Sequence, residues 1–126
     1  MIKHEFYILT WKVHGRIAFL TWLPESADMS KNDLVEHVDV LNNFIDTNYT
    51  RILFIDAVDF KAKIDRSLLN EFQYIKEPSG LTWIVYATSG RGMKKLLKKI
   101  KYRNFTISEH ATRNDLLQIY RDTTGE

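Results

Sequence analysis

Arg51-Ile52-Leu53-Phe54-Ile55-Asp56-Ala57 (RILFIDA, residues 51–57) sets four large apolar side chains in a row and follows them with a carboxylate. Successive side chains of a strand point to opposite faces of its sheet, so an unbroken apolar run predicts a strand covered on both sides. The pattern recurs in Leu81 to Ala87 (LTWIVYA). Strands of this kind belong to parallel sheets, where the chain returns from one strand to the next through a helix.

The flanking sequence supplies those helices. Ahead of residue 51, Ser30 with Asp33 three positions on resembles a capping box, and Leu34, Val38, Leu41 and Ile45 then fall on one stripe with Asp39, Asn43 and Asp46 outside it. This predicts a helix running to about Asn48, preceded by a loop over Pro24 to Met29. Behind the run, a second helix is expected from about Arg66 to Lys76, with Leu68, Leu69, Phe72 and Ile75 inward, and Glu77-Pro78-Ser79-Gly80 reads as a turn. Gly92 to Tyr102 is expected to be helical, with Met93, Leu96, Leu97 and Ile100 on one side. Phe105 to Ile107 is short enough for a last edge strand, and Thr112 with Asp115 caps a final helix carrying Leu116, Leu117 and Tyr120.

At the start of the chain, His4 to Trp11 and Arg16 to Leu23 are rich in aromatic and β-branched residues and flank His14-Gly15, which predicts a β-hairpin. With His14 and Gly15 as the central turn residues, one face carries Tyr7, Leu9, Trp11, Ala18, Leu20 and Trp22, and the other Phe6, Ile8, Ile17, Phe19 and Leu23. Both faces are apolar, so cover is needed on both sides: helices on one, and a partner on the other. A homodimer through the Tyr7, Trp11 and Trp22 face is one such arrangement. The reading is a single α/β domain over residues 1–126, with a mixed, mostly parallel sheet, an N-terminal β-hairpin and flanking helices in the order ββαβαβαβα.

Composition narrows the function. A 126-residue chain with 44% hydrophobic and 13% aromatic residues is enough for one real core. The formal charge of +2 gives no reason to expect nucleic acid as a partner. The absence of cysteine excludes disulfides, thiolate metal sites and a cysteine nucleophile, and fits a reducing, cytoplasmic setting. No basic segment leads into an apolar run at the N-terminus and no stretch approaches a membrane span, so neither export nor insertion is expected. His4, His14, His37 and His110 are scattered, with no i,i+4 pair, and no nucleophile elbow or phosphate-cradling glycine loop is present; no catalytic residue, metal or cofactor is assigned.

Two charged features remain. Asp56 and Asp59 follow a buried strand, at the end where open α/β sheets place ligands, although capping the strand end accounts for them as well. Arg91, Lys94, Lys95, Lys98, Lys99, Lys101 and Arg103 supply 7 of the 18 basic residues from 13 positions. Because the apolar residues of that helix take the inner stripe, Lys94, Lys95, Lys98 and Lys99 form an outer face suited to an anionic surface: an acidic protein, a peripheral membrane contact or phosphates. A solvated helix face explains them equally well.

The segment Ile52 to Glu71, ILFIDAVDFKAKIDRSLLNE, resembles the central region of STAS domains, the sulfate-transporter and anti-sigma-factor-antagonist family. There a buried strand leads through a loop into an Asp-Ser-Ser-Gly-Leu sequence at a helix start. Ile64-Asp65-Arg66-Ser67-Leu68-Leu69 stands in that place, and Trp83-Ile84-Val85-Tyr86-Ala87-Thr88-Ser89 with the elements after it is similar to the rest of such a domain. The resemblance implies a non-catalytic regulatory domain that binds a protein partner, an anti-sigma factor doubling as a kinase, with Ser67 as phosphoacceptor and Asp65, Arg66, Ser89 and Arg91 at the binding surface. Arg66 stands where the family has its first serine, and Leu68 where it has glycine. The alternative is a domain of the same architecture that binds a small ligand or lipid head group.

Overall fold

The computed structural model describes residues 1–12, 16–67, 80–98 and 105–125. Six strands form one sheet in sequence order: β1 (Ile2–Lys3), β2 (Tyr7–Lys12), β3 (Ile17–Trp22), β4 (Ile52–Ala57), β5 (Trp83–Thr88) and β6 (Thr106–His110). β1, β2 and β3 pair antiparallel, and β3 through β6 pair parallel. Helices α1 (Lys31–Thr47), α2 (Gly92–Lys98) and α3 (Arg113–Thr124) complete the described elements, with a 3-10 turn at Pro24–Asp28 where a loop is expected. The α/β class, the mixed sheet and the N-terminal hairpin agree with the sequence reading. The parallel part begins only at β3. The helix expected from Arg66 is described at Arg66 and Ser67 alone; the rest of it, most of the Glu77–Gly80 turn, and positions 99–104, with Lys99, Ile100, Lys101, Tyr102 and Arg103, lie outside the described residues.

The hairpin register agrees with the turn position expected from the sequence. Lys12 pairs with Ile17 and Trp11 with Ala18, the alignment that a turn centred on residues 14 and 15 requires, although those two lie outside the described residues. Tyr7, Leu9, Ala18, Leu20 and Trp22 accordingly share a core with Leu53, Ile55, Ile84 and Tyr86 of the sheet and with Leu34, Leu41 and Ile45 of α1. Trp11 packs edge-on against Phe44 of α1, with ring centroids 4.9 Å apart. The Tyr7, Trp11 and Trp22 face is thus covered by this chain's own helix. It is not available as a subunit contact, because Tyr7 and Trp22 are buried.

Phe6 departs from its expected face and joins the same first core. The strand expected over His4 to Trp11 is broken: the His4 amide donates to the Tyr7 carbonyl at 2.8 Å, the chain turns, and β1 folds back along β2. That turn resets the alternation on which Phe6 was assigned. His4 stacks on Tyr7, and His37 of α1 meets His4 edge-on at a centroid distance of 4.4 Å, so the helix holds the bend through imidazoles.

The other face of the sheet carries Ile17, Phe19, Phe54, Val85 and Ala87, sealed by Leu116, with Tyr120 edge-on to Phe19 and Phe54. The expectation of double cover therefore holds for β3. The second face of β2 is only half-buried at Ile8 and carries Thr10 and Lys12, where no core is needed.

Leu116 is the only fully buried α3 side chain among the described residues. Leu116→Ala is expected to cost about 2–5 kcal/mol in urea unfolding, and Leu117→Ala, at a half-buried site, clearly less. A second expectation concerns pH. Burial first, and then the neighbouring His4, hold the His37 imidazole below its ordinary value, against the opposing pull of Glu36, Asp33 and Glu5. The unfolded chain therefore takes up a proton near pH 6.5 that the folded chain resists. Stability should fall as pH drops below that value, and His37→Gln should flatten the fall in urea midpoints measured from about pH 7.5 to about pH 5.

Candidate functional site at the carboxyl end of the parallel strands

In open α/β sheets the loops after the parallel strands converge at one end, and ligands and partners are met there. Here that end is formed by the segment following β4, the loop following β5 and the start of α3.

Asp56 is the last polar residue of β4 and is buried on the second sheet face, where a carboxylate needs compensation. The Arg113 guanidinium supplies it: Nε donates to Asp56 Oδ2 at 2.6 Å, and Nη2 donates to Asp59 Oδ2 at 2.9 Å. The Val58 amide donates to Asp56 Oδ1 at 3.2 Å. The two hydrogen-bonded carboxylates hold Arg113 more firmly protonated than an ordinary arginine. Asp56 and Asp59 thus act as a clamp on α3 rather than as free acids at a strand end. Arg113 is the residue at this end of the domain that the sequence does not single out. Its one local signal is a cation at the first residue of a helix, where the dipole opposes it, so that an acidic partner is required.

The segment after β4 is tied down at four points. The Lys61 amide donates to Ser26 Oγ at 2.8 Å, and Ser26 is fully buried. Lys31, at the start of α1, reaches Asp65 at 3.2 Å. Ser89 Oγ donates to the Val58 carbonyl at 2.7 Å. Gly92 lies against Ile64 so closely that a Cβ there would stand 3.0 Å from Ile64 Cγ1, which explains a glycine at the first residue of α2. These contacts bring Asp65, Arg66, Ser67, Ser89 and Arg91 to one end of the domain. Arg66, Ser67, Ser89 and Arg91 are exposed there, and Asp65 is half-buried.

The hydroxyls of the β5 loop have partners of their own. Thr88 Oγ1 donates to the Gly90 carbonyl at 3.2 Å and accepts from the Gly90 amide at 3.3 Å, closing the β5 loop on itself, and Ser89 braces that loop against the segment after β4. On α2, Lys94 pairs with Glu109 of β6 at 3.3 Å and Lys95 is exposed. Glu109 also accepts a hydrogen bond from Tyr86, and burial together with that carboxylate raises the Tyr86 phenol to about 12. Lys98 is the last described residue of α2, and Lys99 lies outside the described residues. Among the described residues no three histidine, aspartate or glutamate side chains stand close enough to hold a metal ion, and no helix is long and apolar enough to cross a membrane.

Comparison with protein-family models, with curated proteins and with solved structures found no match to the chain.

The clamp predicts an ordering of mutant effects. Arg113→Ala leaves the Asp56 carboxylate buried with only the Val58 amide, and is expected to cost about 2–3 kcal/mol in urea unfolding. Asp59→Ala removes a partner that is 40% exposed and should cost less than about 1 kcal/mol. Equal costs would contradict the assignment of Asp56 as the buried anchor.

Proposed function

We propose that the chain is a STAS-like, non-catalytic regulatory domain of the cytoplasm that binds a protein partner through the carboxyl end of its parallel strands, with Ser67 as the switch. The observation that carries this reading is the placement of Asp65, Arg66 and Ser67. An exposed serine and an exposed arginine begin a helical stretch directly after a segment braced against α1, the β5 loop and α2.

The chemistry of such a switch is consistent with these residues. A serine at a helix start is accessible to a kinase, and the added charge of about −2 is tolerated by the helix dipole while altering the surface a partner meets. Arg66 is the nearest cation in sequence to pair with it, and Arg91 extends the same polar surface. A partner of the anti-sigma-factor type, itself a kinase, fits this chemistry. The alternative, a binder of small anions or lipid head groups through Lys94 and Lys95, receives less support, because Lys94 is already engaged by Glu109.

The test is capture of partners from native lysate by wild type, Ser67→Ala and Ser67→Glu, with phosphosite mapping. A partner retained by wild type and Ser67→Ala, reduced roughly tenfold or more by Ser67→Glu, with phosphate on Ser67, is the expected result. The same partners for all three, with Ser67 unmodified, would retire the switch.

A further inference from the structure

The opposite end of the sheet holds a hollow of about 440 Å³, lined by Arg16, Asp46, Thr47, Tyr49, Thr50, Arg51 and Gly80. Its volume falls within the range of small-molecule sites. Arg16 and Arg51 precede the paired residues Ile17 and Ile52, and the Arg51 amide donates to the Arg16 carbonyl at 2.7 Å, so two guanidinium groups leave adjacent backbones side by side. Like charges placed this way repel each other. Among the described residues neither guanidinium has a hydrogen bond or an ion pair. Among the described lining residues Asp46 is the one carboxylate, and it has an interaction of its own, so these residues set two cations against one anion.

Backbone strain converges on the same place. Tyr49 has φ 56° and Arg16 has φ 51°, and these are the only described non-glycine residues with positive φ. Tyr49 ends α1: the Thr50 amide donates to Ile45 O at 3.0 Å and the Tyr49 amide to Asp46 O at 3.1 Å, the closure in which the left-handed position normally falls to glycine. Tyrosine is strained there, and its ring contributes little packing, since Tyr49 is 72% exposed. Strain of this sort is retained where the side chain serves a site.

We propose that this hollow binds a small phosphorylated molecule bearing a planar ring, with Arg16 and Arg51 on the phosphate and the Tyr49 ring stacked on the planar group. Paired guanidinium forks suit the several oxygens of a phosphate, and an exposed tyrosine offers a flat apolar face beside them. The site is independent of the Ser67 surface.

The probes are adenosine 5′-monophosphate, inorganic phosphate and adenosine, titrated at low ionic strength into wild type, Arg51→Lys, Arg16→Gly and Tyr49→Gly, with amide NMR shifts and urea midpoints as readouts. Saturable binding of the nucleotide is expected, with shifts at residues 46–51, and roughly tenfold weaker binding of phosphate or adenosine alone. Each variant should lose about tenfold in nucleotide affinity, and Tyr49→Gly should do so while raising the urea midpoint, which separates lost binding from lost folding. No saturable binding by wild type, or unchanged affinity in the arginine variants, would overturn the site. Unchanged affinity in Tyr49→Gly, or phosphate binding as well as the nucleotide, would overturn the stacking role. Loss of stability in Arg51→Lys and Arg16→Gly without any nucleotide binding would assign the two arginines to the carboxyl-terminal dipole of α1 instead.

Discussion

A central strand that is apolar on both faces has to be covered twice, and this requirement organises the molecule. β4 turns Leu53 and Ile55 toward α1 and Phe54 toward α3. The first face is covered within the span of the sheet's own crossovers. The second depends on α3, which brings fully buried Leu116 and half-buried Leu117, Ile119 and Tyr120 to the task. That apolar contact is supplemented electrostatically: Arg113 ties the first turn of α3 to Asp56 and Asp59 at the end of β4. The pair is buried on the aspartate side and open on the arginine side, and its worth lies chiefly in the cost of leaving Asp56 without a partner.

The same clamp shapes the carboxyl end of the parallel strands. Asp56 fixes Val58, Val58 receives Ser89, and the chain from Lys61 to Asp65 is held by Ser26 and Lys31. Under the proposed reading, a surface braced in this way would lose little conformational entropy on docking a partner, the physical advantage of a rigid support. The opposite end has a different character. There two arginines and a strained tyrosine face a hollow.

Much of this was readable from residue order. Ser30 and Asp33 bond reciprocally at 3.1 Å, and the Asp115 amide donates to Thr112 at 3.1 Å, because capping is local and its side chains lie three residues apart. The hairpin register followed from the turn position for the same reason. Phe6 was misplaced because a turn of three residues, invisible to alternation, reversed its parity. Arg113 escaped notice because its partners lie 57 and 54 residues earlier, a separation that only folding closes. Tyr49 could not have been found, since nothing in its identity announces a left-handed cap that glycine usually fills.

The segment after β4 is held in place by its own contacts rather than being a loop without fixed structure. Amide hydrogen exchange in the free protein tests it directly at two donors: Val58, bonded to the Asp56 carboxylate, and Lys61, bonded to buried Ser26. Protection at both amides that approaches the protection of the β4 ladder is the predicted result. Exchange at both near the rate of an unstructured chain, with β4 still protected, would contradict it.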